Sequence, residues 1–203
     1  MLVFTNFLYV CRMKFTKRQI EILDVSKDLI GTKGIQNLTI KNIAKKMSFS
    51  EPAIYRHFKD KSEIIKSVLL FQREIIKNGI FSILKSDIPS IKKLKTIIDF
   101  QFNHFQKNPS IITIIFSESS FQYFVSDIIQ KMIKKRNQKL IQILKEGQIE
   151  KSIRNDISAE QIATIIMGSM RLTVLNWKLS DFDTNLKKDG GKLWNTIEKL
   201  IKK

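Results

Sequence analysis

The sequence predicts an all-α protein of about nine helices, an N-terminal helix-turn-helix segment followed by a helical bundle. Three observations carry this. Apolar residues recur at helical spacing along the chain, with no alternating strand pattern and no internal repeat. Pro52, Pro89 and Pro109 each stand near the start of an apolar-periodic segment, where a missing N–H costs little. Ser158 with Gln161 has capping-box form, and Asp60 with Glu63 is an acidic version of it.

Taken in order, the pattern places helices at 16–32, 39–47, 51–58, 61–85, 89–106, 110–117, 121–150, 158–179 and 185–201. The early helices are short and tightly linked and the later ones long, so residues 13–62 read as one domain and 63–203 as a second. A helix crossing that boundary couples the two rigidly. Residues 1–12 form a short apolar arm, or lie upstream of a true start at Met13, where the text reopens as Met-Lys-Phe-Thr-Lys-Arg. Asp189-Gly190-Gly191 is expected to weaken or break the final helix.

Bulk properties narrow the function classes. The 203 residues, 43% of them hydrophobic, suffice for a sizeable core. Lys and Arg number 36 against 19 Asp and Glu, a formal charge of +17, which favours polyanionic partners, nucleic acid first and anionic membrane second. That excess is spread out, with eleven basic and five acidic residues between 14 and 62 and 24 basic against 14 acidic from 63 onward. Charge alone therefore does not locate a DNA-binding face. One cysteine, Cys11, excludes an intramolecular disulfide framework and a Cys-based zinc site, and fits a cytoplasmic setting. No apolar run approaches the roughly 18 residues that span a bilayer, and Met1–Val10 lacks a basic n-region, so no membrane or export role is expected.

The most informative stretch runs from Thr39 to Phe58. Ile40, Ile43, Ala44 and Met47 fall at i, i+3, i+4 and i+7, one buried face of a short helix capped by Thr39. Small Ala44 permits close approach of a second helix. Ser48-Phe49-Ser50 supplies a three-residue turn whose last residue, Ser50, can cap the next helix. That helix buries Ala53, Ile54 and Phe58 and turns Glu51, Pro52, Tyr55 and Arg56 outward.

Gly34, Leu38-Thr39, Ile43-Ala44, Ser50, Ala53-Ile54-Tyr55, His57-Phe58, Lys59, Lys61 and Glu63-Ile64 stand in one unbroken register, and this stretch closely resembles the DNA-binding domain of the TetR family of regulators. The resemblance implies double-stranded DNA as partner. Thr39, Tyr55, His57 and Lys61 match the family's backbone contacts, with donors suited to phosphate. Glu51, Pro52 and Arg56 lie where the family reads bases: Arg56 can bind guanine bidentately, and Glu51 can accept from cytosine N4 or repel phosphate. Ser50 is grouped with this DNA-binding set. Solvated charge for Arg56 and Lys61, and packing for His57, are the plainer alternatives. A small helix-turn-helix footprint further implies a two-fold dimer on a palindrome.

Downstream, Ser158–Leu179 carries apolar residues around nearly its whole circumference, Ile162, Ile165, Ile166, Met167, Met170, Leu172, Val174, Leu175 and Trp177 among them, and is expected to be buried on several sides. With Leu193, Trp194, Ile197, Leu200 and Ile201 it resembles the family's last two long helices, which implies a homodimer through an intersubunit bundle; an intrasubunit core is the alternative. Of 14 phenylalanines, Phe100, Phe102, Phe105, Phe116, Phe121 and Phe124 gather mid-chain. The resemblance makes this region a ligand cavity, and aromatic lining favours a small apolar or amphipathic effector. Phe100, Asn103, His104, Phe116, Phe121, Phe124, Arg171 and Trp177 are the effector candidates, Arg171 either pairing a carboxylate or bridging the dimer. Core packing fits the same phenylalanines.

The resemblance implies a cytoplasmic DNA-binding transcription regulator, a repressor released by its effector, and no cofactor or metal is expected. A TetR-like factor controlled by a protein partner, or a nucleoid-associated one, is the alternative. An enzyme finds no phosphate-cradling glycine loop, nucleophile elbow or metal motif in the sequence.

Overall fold

The computed structural model describes residues 15–117 and 125–203. Among them are nine α-helices: α1 (Lys17–Lys33), α2 (Ile40–Met47), α3 (Glu51–Tyr55), α4 (Lys61–Leu84), α5 (Ser90–Lys107), α6 (Pro109–Ile115), α7 (Val125–Ile149), α8 (Ala159–Leu179) and α9 (Leu186–Ile201), with a 3-10 turn at Ile35–Asn37. An isolated bridge between Ile153 and Lys202 is the strand-like pairing of the described chain, which is all-α. The apolar arm at 1–12, with Phe121 and Phe124, lies outside the described residues.

Helix starts follow their local chemistry. Pro52 and Pro109 sit in the first turns of α3 and α6, and Pro89 immediately precedes α5. Ser158 Oγ accepts from the Gln161 N–H at 3.3 Å. Asp60 Oδ1 accepts from the Glu63 N–H at 2.8 Å, while the Glu63 carboxylate reaches back to the Lys59 N–H at 2.5 Å. The N-terminus of α5 is capped from a distance: the Glu150 carboxylate accepts from the Ser90 N–H at 3.0 Å and from its hydroxyl at 2.9 Å.

Two expectations are corrected. The helix placed at 51–58 ends after Tyr55: the N–H groups of His57 and Phe58 both fold onto the Ile54 carbonyl, at 2.9 and 3.1 Å, as the chain tightens to bury Phe58. The final helix, in turn, runs unbroken through Asp189-Gly190-Gly191. A Cβ on Gly190 would stand 2.5 Å from the ring of buried Phe102, so glycine lets α9 close on α5, and that packing outweighs the low helix propensity. Asn185 fixes the start, its Oδ1 accepting from the Lys188 N–H at 2.9 Å.

The chain packs as two compact units. In the first, which holds the described residues up to 78 and 108–117, α1 packs on α2, on the 3-10 turn and on α6, and α2 packs on α3. Its core includes Ile22, Leu23, Ile30, Leu38, Ile43, Ile54, Ile64 and Ile112. In the second, holding 79–107 and 127–203, α9 packs on α5 and α8 around Leu94, Phe102, Ile162, Ala163 and Trp194. Packing thus groups α6 and most of α4 with α1–α3, because α6 lies on α1.

α8 is not buried on all sides. Ile162, Ile166, Met170, Val174 and Trp177 face the core, whereas Ile165, Leu172 and Leu179 stand exposed on the opposite face.

The two adjacent glycines of α9 should respond oppositely to the same substitution. Gly190→Ala pushes a methyl into Phe102 and is expected to destabilise by about 1–3 kcal/mol. Gly191→Ala meets nothing within 4 Å and should stabilise by roughly 0.5–1 kcal/mol. Urea denaturation of the two variants checks the sign of each.

Candidate nucleic-acid interface

The interface is built from the end of α1 onward. Gly34 ends α1 at φ 77°, a left-handed conformation that glycine adopts without strain, and its N–H returns to the Ile30 carbonyl at 3.0 Å. Leu38 is then buried and Thr39 caps α2, its Oγ1 accepting from the Asn42 N–H at 3.1 Å. The Asn42 side chain in turn donates to the Asn37 carbonyl at 2.8 Å, tying α2 to the 3-10 turn. Thr39 is exposed, so its hydroxyl proton is left to donate outward.

α2 buries Ile40, Ile43 and Ala44, with Met47 half-buried. Ser48 then takes the left-handed conformation, φ 57° and ψ 41°, and the Phe49 N–H closes on the Ala44 carbonyl at 2.9 Å. Arg18 of α1 lies over the Phe49 ring at 4.8 Å. Ser50 occupies the N-cap position of α3 without a side-chain cap bond, in contrast to the expectation; its carbonyl accepts from the Ala53 N–H instead.

α3 divides sharply by face. Ile54 is 0% and Phe58 2% exposed, Ala53 is half-buried, and Tyr55 is 52% exposed. Glu51, Pro52 and Arg56 are exposed with Tyr55, so the base-reading set and one backbone-contact candidate share the outer surface. His57 is half-buried, and its carbonyl accepts from Gln19 Nε2 at 3.2 Å. The same Gln19 forms a reciprocal capping box with Thr16, at 3.2 and 2.9 Å. Gln19 thus ties the start of α1 to the exit of α3, and the Thr16-Lys-Arg-Gln19 spacing was its legible signal.

Lys61 is half-buried, and its ammonium donates to the Ile35 carbonyl at 3.1 Å. Desolvation lowers its pKa from the ordinary lysine value. One of three ammonium donors is therefore committed to the fold, with two left for an anion. Lys46 pairs with Asp28 across the first unit, while Lys41, Lys45 and Lys59 are exposed.

The effector candidates among the described residues fall in both units. Phe100 and His104 stack at 6.2 Å on α5, and Asn103 beside them is half-buried. Phe116, just past α6, belongs to the first unit, and Arg171 is exposed. Trp177 is buried, its Nε1 donating to the Thr184 carbonyl at 2.9 Å and its ring edge-on to Phe182 at 4.7 Å, which closes the α8–α9 loop. Two surface clefts, one of about 350 Å³ lined by α7 residues and one of about 210 Å³ between the end of α4 and α7, share Lys139 and Gln142 and include none of the candidates.

Other polar side chains lie deeper. Gln72 of α4 is 2% exposed with neither amide atom bonded among the described residues. Its position four residues after Val68 and eight after Ile64, on the buried stripe, was the sequence signal for it.

The comparison with known proteins joins this geometry to a family. The model for "Bacterial regulatory proteins, tetR family" matches residues 22–68, which contain α2, the turn and α3, and the model for "Tetracyclin repressor-like, C-terminal domain" matches 91–181. The chain belongs to the TetR family. As a TetR-family member it is a DNA-binding regulator, and the register Gly34–Ile64 lies within the matched 22–68. Among relatives, the nucleoid occlusion factor SlmA of Vibrio campbellii is 23% identical over 192 residues, 93% of this chain and 98% of that one. SlmA of Alteromonas mediterranea is 24% identical over 172 residues, 84% of this chain and 86% of its own. Similar folds include the ketosteroid regulator KstR2 of Mycobacterium tuberculosis, with TM-score 0.76 at 17% identity, covering 93% of this chain and 96% of that one. FadR of Bacillus subtilis in complex with stearoyl-CoA gives TM-score 0.72 at 20% identity, covering 89% and 96%.

Thr39 has a measurable structural share in this TetR-type domain. Thr39→Ala removes the cap of α2 and should cost about 1 kcal/mol, read as a lower thermal midpoint, while Thr39→Ser, which keeps the accepting oxygen, should recover most of it.

Proposed function

We propose that this TetR-family regulator binds a palindromic operator as a homodimer and represses transcription until a small apolar or amphipathic effector releases it. The observation that carries the reading is the two-faced α3, with Ile54 and Phe58 buried and Glu51, Pro52, Tyr55 and Arg56 presented to solvent. Arg56 and Glu51 read base edges, Pro52 packs beside them, and Ser50 fixes the entry to the helix. Thr39, Tyr55, His57 and Lys61 hold the phosphate backbone. Residues 13–62 are the DNA-binding domain in this functional division, and 63–203 the effector and dimerisation domain. DNA binding puts its work in the cytoplasm; among the described residues no helix is long and apolar enough to cross a membrane.

Dimerisation through the last two long helices is supported by the row Ile165, Leu172 and Leu179 on α8, at successive spacings of seven, with Leu200 of α9, all at least half exposed. Large aliphatic side chains in a row at that exposure favour burial against a second copy. The effector acts by binding better to the conformation that does not fit DNA, which shifts the population away from the operator complex. Its apolar character is supported by Phe100 and the neighbouring phenylalanines of α5, and by the fold shared with a regulator solved with stearoyl-CoA.

A second reading is favoured by the names of its relatives, nucleoid occlusion factors matched over almost their whole length. In that reading the same DNA interface serves a factor controlled by a protein partner. Genome-wide recovery of bound DNA separates the two: a few palindromes at promoters support the repressor, and many sites dispersed over the chromosome support the alternative.

The residue roles have their own tests. Arg56→Ala should relax base preference at one position by roughly 1–3 kcal/mol, whereas Lys61→Ala should weaken all sequences alike and reduce the salt slope by about one phosphate contact. Gel shifts across a salt series measure both. Leu172→Lys should shift the protein from dimer to monomer in sedimentation; an unchanged dimer would remove α8 from the interface.

A further inference from the structure

A short stretch at the start of α1 reaches three other parts of the first unit. Phe15 meets the buried Phe71 of α4 edge-on, with ring centroids 5.9 Å apart. Arg18 stands over the Phe49 ring at 4.8 Å, in the turn that leads into α3. Gln19 donates from Nε2 to the His57 carbonyl at 3.2 Å, just past the end of α3. The entry and the exit of α3 are thus both held from the first turn of α1, and Phe15 seats that turn on α4.

The exit is where support matters most. The helix has closed by Tyr55, and the N–H groups of His57 and Phe58 share the Ile54 carbonyl. The carbonyl of His57, one residue on from exposed Arg56, is taken by a side chain of α1. Gln19 suits this task because an amide carries a donor and an acceptor at once. Its Oε1 accepts from the Thr16 N–H at 2.9 Å, which anchors the side chain in the capping box and leaves Nε2 to reach His57. A carboxylate can make the first bond and not the second.

We infer that Gln19 is a positioning residue for base recognition: it holds the His57 peptide, and through it the adjacent Arg56, in the attitude that meets DNA. The inference rests on the reading of α3 as the base-reading helix and adds to it a determinant that lies outside α3. A helix of five residues keeps no geometry of its own, so precision at Arg56 comes from the shell that supports it. Loss of the Gln19 donor frees the exit of α3 to move while Ile54 and Phe58 keep the helix on the core.

The test uses the full chain, the tightest duplex that wild type selects from a randomised library, and a random duplex of the same length. Fluorescence anisotropy gives the ratio of the two affinities, read beside the thermal midpoint of each variant. Gln19→Glu keeps the capping acceptor and removes the donor; its added negative charge weakens both duplexes alike and cancels in the ratio. Gln19→Met removes donor and acceptor at similar length and helix propensity. Both should lower the ratio by roughly tenfold, Gln19→Glu with a thermal midpoint near or above that of wild type. Thr16→Val removes the capping oxygen and leaves the Gln19 amide in place. It should lower the midpoint and keep the ratio within about twofold, since a loss of folded protein weakens both duplexes together. An unchanged ratio in Gln19→Glu overturns the inference. So does an equal loss in Thr16→Val, which makes the cap responsible rather than the donor. Arg56→Ala separates the two levels: if it lowers the ratio and Gln19→Glu does not, the positioning role alone falls. If neither lowers it, the base-reading role of α3 falls with it.

Discussion

A helix of five residues has too few internal hydrogen bonds to persist in water, since nucleation fixes several dihedrals for each bond gained. α3 therefore exists only as a packed object. Its geometry is dictated by Ile54 and Phe58 beneath it, by the left-handed Ser48 that starts the turn, and by Gln19 holding the His57 carbonyl at its exit. Every exposed side chain of α3 inherits its position from these contacts. The first unit is best understood as the support of this one short helix: α1 carries Gln19 and Arg18, α2 lies under α3, and Lys61 clamps the 3-10 turn that leads into α2.

The same dependence explains what was legible beforehand. The caps at Thr39, Asp60 and Ser158, and the prolines at helix starts, are local chemistry, so spacing alone located them. The family register fell on residues with strict steric or burial demands, Gly34 with its positive φ and Ile43, Ala44 and Ile54 in the core. By contrast, the early end of α3 depends on where Phe58 must go. The continuity of α9 depends on a contact between Gly190 and Phe102, about ninety positions apart, and no local window holds both. Gln19 could be read as a cap, but its second bond to His57 is tertiary.

Polar residues were the least legible. Asn103, His104 and Arg171 drew attention by type, whereas Gln72 interrupts an apolar stripe, and that is a matter of phase along a helix. Burying such groups lowers stability unless something completes them. Gln72 accordingly marks a position where packing has yielded to another demand. Trp177 drew attention by size and position, and its N–H bond to the Thr184 carbonyl and edge contact with Phe182 join α8 to the loop that follows it.

The aliphatic row Ile165, Leu172 and Leu179 bears on the response of this regulator to its own abundance. A protein that assembles through such a row is mostly single chains at low copy number, and two-fold DNA sites then fill with the square of its concentration. Operator occupancy would rise over a narrower range of expression than a lone binding domain allows. The steepness of the genetic switch would be set on α8, far along the sequence from any residue that touches a base.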